Sequence, residues 1–79
     1  MTTFALKGGG SLTWALFTPT PTGDTVRVVA ILGAVAYIDR DMTREEARTQ
    51  WAELRALGWT PQTPPKGVDE RFLKIHIYN

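Results

Sequence analysis

Residues 28–38 form an almost unbroken apolar run, interrupted only by Gly33, and a sharply marked helix start follows at Thr43. A strand with one face in solvent alternates apolar and polar side chains, so a continuous apolar run predicts cover on both faces. A buried strand leading into an amphipathic helix restricts the chain to an α+β domain. It specifies no chemistry.

With 79 residues, the chain can build one small core, and we read residues 1–79 as a single domain. A chain of this size buries only about 60% of the surface its unfolded form exposes. Stability then needs assistance, and with no cysteine disulfides cannot supply it. Self-association remains, so a homodimer is expected. The missing thiols also exclude cysteine nucleophiles and Cys-based metal sites, and they fit a reducing compartment.

Nine basic and eight acidic side chains leave a net charge of +1, too weak a field to steer the protein to nucleic acid or to an anionic membrane. The N-terminus lacks the basic and apolar stretches of a signal peptide. The longest apolar run falls well short of the roughly 20 residues that span a bilayer. These features predict a cytoplasmic protein with no membrane association.

Residues 3–7 read as a short strand, broken by Gly8, Gly9 and Gly10. Strand character resumes over 11–17, where Leu12, Trp14 and Leu16 alternate with smaller residues. Residues 18–24 hold two prolines and Gly23-Asp24, which predicts a surface loop. Residues 25–39 are long for one strand. Gly33 implies a bend, a bulge or a hairpin with arms 26–32 and 34–38, and we take one long bent strand as the first expectation. Asp39, Arg40 and Asp41 then lead out to solvent.

Thr43 and Glu46 form a capping box, each side chain satisfying a backbone amide that the first helical turn leaves orphaned. The helix is predicted over 44–57, stopped by Gly58, with Ala47, Trp51, Leu54 and Leu57 on its buried arc. Trp59 follows as a plug at the helix end, and the proline-rich stretch 60–67 returns the chain to the sheet in extended form. Residues 71–79 alternate Leu73, Ile75 and Ile77 against Phe72, Lys74, His76 and Tyr78, which reads as a closing antiparallel strand. The predicted fold is therefore a three- to four-stranded, mainly antiparallel sheet with one helix on one face, in the order β-β-β-α-β.

One helix leaves the other face open, and Phe72, Lys74, His76 and Tyr78 would occupy it. Aromatic rings beside a cation can stack single-stranded bases. The same rings can equally pack on a second copy of the chain, and the near-neutral charge favours packing. No RNP-type run of glycines and aromatics is present to support base stacking. A second candidate surface is Arg44, Arg48 and Arg55, which fall within about 40° of one another on the helix, beside Trp51. Guanidiniums so placed can hold phosphates or the acidic surface of a partner.

Catalytic patterns are sparse. His76 is the sole histidine, which rules out a two-imidazole metal site or relay within one chain. Asp39, Asp41 and Glu45 lack the glycine and distal glutamate of a calcium loop, and the three glycines lack the lysine and helix of a phosphate loop. We expect no catalytic residue, no cofactor and no metal. The sequence points to a small non-enzymatic module that binds another protein as a regulator, adaptor or inhibitor, a class that includes phage-encoded inhibitors of host defence. A nucleic-acid binder using the open face and the arginine edge is the alternative, and an enzyme with a site at a dimer interface comes third.

Overall fold

The structure, a computed structural model, describes residues 2–78. Four strands come first: β1 (Phe4–Lys7), β2 (Trp14–Pro19), β3 (Thr25–Ile31) and β4 (Tyr37–Thr43). Helix α1 (Arg44–Ala56), a two-residue strand β5 (Thr60–Pro61) and helix α2 (Glu70–Tyr78) complete the chain. The sheet is antiparallel throughout, in the order β4-β3-β2-β1-β5. The α+β class and the antiparallel sheet are as expected. The sheet has five strands rather than three or four, and there are two helices rather than one.

Each strand offers alternate side chains to opposite faces, and the pairing Phe17 with Val28 and Leu16 with Val29 aligns those sets across the sheet. Leu6, Phe17, Val28 and Met42 meet Ala47 and Leu54 of α1 on one face. Ala5, Trp14, Leu16 and Val29 meet Leu73 of α2 on the other. Val28, Val29 and Ala30 are therefore almost wholly buried, which accounts for the first part of the apolar run. Its second part is not covered on both faces, because Ala34, Val35 and Ala36 lie exposed in a turn and Tyr37 is exposed at the start of β4. Burying each large apolar side chain contributes about 1.5–3 kcal/mol, so neither layer is dispensable.

Residues 25–39 do not form one bent strand. They enter a hairpin whose arms, β3 and β4, are joined by residues 32–36, with the Leu32 amide bonded to the Ala36 carbonyl at 3.0 Å. β4 then runs on through Asp39, Arg40 and Asp41 to Thr43, where the sequence predicted an exit to solvent. The reason lies across the ladder, where Arg27 stands opposite Asp41 and draws the acidic residues into the sheet. β2 also continues through Pro19, and the loop narrows to 20–24.

The capping box is present in full. The Glu46 amide donates to Thr43 Oγ1 at 3.1 Å and the Thr43 amide donates to Glu46 Oε1 at 3.0 Å. That backbone hydrogen bond is the main cause holding the Glu46 carboxyl below its ordinary range. At the other end Gly58 takes φ +97°, and the amides of Gly58 and Trp59 return to the carbonyls of Arg55 and Leu54 at 3.0 and 3.1 Å. This double bond pattern requires a left-handed residue at Gly58. It lowers Trp59 into the core, as predicted, whereas Leu57, expected on the buried arc, is 76% exposed. Trp59 leaves no room over the β1–β2 turn: a Cβ on Gly8 would lie 2.8 Å from its ring.

The closing segment is the largest departure. Residues 70–78 form a helix, not a strand. Asp69 Oδ1 accepts from the Phe72 amide at 2.9 Å, a helix N-cap. Leu73 and Ile77, four residues apart, face the sheet while Ile75 is 61% exposed. The face predicted to lie open is covered by this helix.

Candidate functional site

Helix α1 crosses the sheet with Ala47 and Leu54 buried beneath it, which leaves the neighbouring positions along its flank at the surface. Trp51 lies half-buried there, edge-on to Phe17 at 5.2 Å between centroids. Phe4 of β1, 55% exposed, completes an aromatic floor. Together with Pro19, Val26 and Ala47 these rings line an open groove of about 310 Å³ whose rim carries Arg44 and Arg48. The two arginines are one helical turn apart. Among the described residues no carboxylate lines the groove, and neither guanidinium takes part in an ion pair.

The third predicted arginine is elsewhere. Arg55 donates from Nη1 to the Trp59 carbonyl at 2.9 Å, so it closes the helix end instead of extending the rim. The sequence pattern thus located Arg44, Arg48 and Trp51 together but missed Phe4 and Phe17. The two-residue spacing of Phe4 from Leu6 and of Phe17 from Ala15, which puts each pair on one strand face, was the available signal, and only strand pairing places them beneath the helix flank.

The residues predicted as an aromatic platform do not form one, because their two-residue spacing spreads them around a helix. Phe72 packs toward the sheet, with the His76 ring 4.3 Å from it. His76 Nδ1 lies 2.8 Å from the Phe72 carbonyl, which can only accept, so Nδ1 carries the hydrogen. Lys74 pairs with Glu70 at 2.8 Å. Tyr78 donates to Asp39 Oδ2 at 2.7 Å and meets Tyr37 edge-on at 5.9 Å.

The Lys74 and Tyr78 contacts belong to a charge network that sequence reasoning missed. Arg27, the one charged residue of β3, binds Asp39, Asp41 at 3.5 Å and Glu70 at 3.3 Å. An arginine inside an apolar strand, with acids at alternate positions on the next strand, was the clue. Burial pulls the Arg27 guanidinium down, but Glu70, Asp39 and Asp41 together hold it above its ordinary value. Lys74 and then Arg27 hold the Glu70 carboxyl below its own. The three carboxylates around Arg27 more than compensate its charge, and the network ties α2 to the sheet.

A second exposed apolar region lies at the β3–β4 turn. Residues 33–36 are glycine, alanine, valine and alanine, and Val35 at their tip is 97% exposed. Beside it is a cleft of about 570 Å³ lined by Leu12, Ile31, Tyr37 and Ile77, with His76 as its only ionisable imidazole. Among the described residues there is no group of three or more His, Cys, Asp or Glu placed to hold a metal ion, and no helix is long and apolar enough to cross a membrane. No protein-family model, no curated protein and no solved structure matches the chain.

Proposed function

We propose that the protein is a non-enzymatic binding module that acts by occupying a surface of another protein, as a regulator, adaptor or inhibitor. The observation that carries this reading is the groove of Phe4, Phe17 and Trp51 under Arg44 and Arg48. Exposed aromatic and arginine side chains are the types that dominate protein interfaces. On the other face Arg27, Lys74 and Tyr78 are engaged with Asp39, Asp41 and Glu70, whereas on this flank aromatic and arginine side chains lie together at the surface. The cysteine-free composition fits action in a reducing compartment such as the cytoplasm. His76 commits Nδ1 to a backbone carbonyl and, among the described residues, hydrogen-bonds to no carboxylate, which gives no basis for proposing catalysis.

The test is affinity capture from host extract with the wild-type chain and with an Arg44→Glu/Arg48→Glu variant, each with and without nuclease. A protein retained by wild type, resistant to nuclease and lost from the variant supports the reading. A bound species that disappears with nuclease overturns it in favour of nucleic-acid binding.

A second observation favours self-association through a separate surface. The uncharged Val35 tip projects beside the uncharged Leu12, Ile31 and Tyr37 wall of its own cleft. A two-fold interface brings the same patch together twice, so it must offer both projection and recess without like-charge repulsion. This patch does so, and we propose it as the contact of a homodimer.

A further inference from the structure

We infer that the groove between α1 and β1–β2 takes an acidic peptide segment of a partner protein, with a bulky apolar residue held between two carboxylates. This rests on the binding-module reading and gives its partner a chemistry. The charge argument is direct: among the described residues, two guanidiniums stand on one rim with no acid in the lining and no ion pair of their own. An arginine left unpaired beside apolar surface favours a carboxylate, which it can meet with two parallel hydrogen bonds.

Spacing narrows the class. Side chains one helical turn apart have Cβ atoms about 5–6 Å apart. Alternate residues of an extended chain are separated by roughly 6.6 Å along the strand. Carboxylates at positions i and i+2 of an extended segment therefore match Arg44 and Arg48, and residue i+1 points the opposite way. With the acids at the rim, that residue enters the groove over Phe4, Phe17 and Trp51. A volume of about 310 Å³ accommodates one leucine, methionine or phenylalanine side chain. The floor is apolar and gives affinity, whereas the arginines select against neutral and basic sequences.

A nucleic-acid strand meets the rim but not the remainder. Its phosphates would satisfy the arginines, yet Phe17 is 4% exposed and presents an edge to Trp51 at an interplanar angle of 72°. This is not a stack of parallel ring faces on which successive bases can lie.

The test is selection from a displayed library of random peptides on the immobilised full chain, followed by titration of the enriched peptides in solution. Expected are sequences with an apolar residue flanked by Asp or Glu. Arg44→Glu/Arg48→Glu should invert the selection toward Lys and Arg, and Phe4→Ala should weaken the wild-type peptides by roughly tenfold, as loss of an aromatic anchor does. All three positions are on the surface, and far-UV circular dichroism confirms that the variants are folded. Enriched peptides without an acidic excess overturn the inference. So do acidic peptides that are indifferent to Phe4→Ala and displaced by single-stranded DNA, because these register only polyanion attraction. If no peptide is enriched while host extract still yields a nuclease-resistant protein dependent on Arg44 and Arg48, the peptide inference fails and the binding-module reading stands. If neither is found, both fail.

Discussion

Leu73 and Ile75 provide a decisive comparison for the C-terminal segment. As a strand, residues 71–79 would place the two on one face and bury them alike. In the helix, Leu73 is fully buried against Trp14, Leu16 and Val29, whereas Ile75 is 61% exposed. Leu73→Ala removes three carbons from the core, worth about 2.4 kcal/mol at roughly 0.8 kcal/mol each. The cavity left behind raises the cost to about 3–4 kcal/mol. Ile75→Ala, at the surface, should change stability by less than about 0.5 kcal/mol. Native domains of this size are stable by only about 4–12 kcal/mol, so Leu73→Ala consumes a large share. For a chain this short each kcal/mol shifts the melting temperature by about 4–8 °C, which predicts a fall of at least about 12 °C. Urea unfolding of both variants, followed by far-UV circular dichroism and tryptophan fluorescence, measures the contrast. Trp14 lies in the same cluster as Leu73 and reports loosening of this layer. Equal costs for the two substitutions would refute the helical packing and restore the strand.

Two other outcomes follow from named groups. The Glu70 carboxyl is held low, first by Lys74 and then by Arg27. Its contribution is present above the ordinary carboxylate pKa and is lost as pH falls through the depressed value. Tyr78 is held high, first by its hydrogen bond to Asp39, so its contribution is present below the ordinary tyrosine pKa and is lost as pH rises through the raised one. Both groups join α2 to the sheet. The urea midpoint should therefore decline at each extreme, less steeply in acid for Glu70→Gln and less steeply in alkali for Tyr78→Phe; unchanged slopes would refute the assignment. For the proposed homodimer, sedimentation equilibrium should give twice the chain mass for wild type and the single mass for Val35→Asp, and a monomeric wild type would refute it.

The features legible in the sequence are those fixed by neighbouring residues. The Thr43–Glu46 box needs only a three-residue separation, and Gly58 needs only its own φ, so both ends of α1 could be placed. The doubly buried strand was legible because Val28, Val29 and Ala30 follow one another without a polar break. The same locality made Arg44, Arg48 and Trp51 readable as one surface, since helical geometry alone brings them together. Arg55 has the same angle but is diverted by the Trp59 carbonyl, a contact set by how the chain turns after Gly58.

Where the chain had two acceptable local solutions, long-range contacts chose. Residues 71–78 carry Ile, Phe and Tyr, which favour strands, in an alternation that fits a strand and also contains the four-residue spacing of Leu73 and Ile77. The helix forms because the second sheet face offers Trp14, Leu16 and Val29 to cover and because Arg27 holds Glu70. Asp39 and Asp41 read as solvent-seeking residues until Arg27 is placed opposite them. Phe4 and Phe17 become part of a groove only when β1 and β2 pair beneath α1. Short-range propensity and capping thus determined where α1 begins and ends and which of its residues share a flank. Burial of the second sheet face and compensation of the Arg27 charge, which join residues tens of positions apart, decided the identity of α2 and the shape of the binding surface.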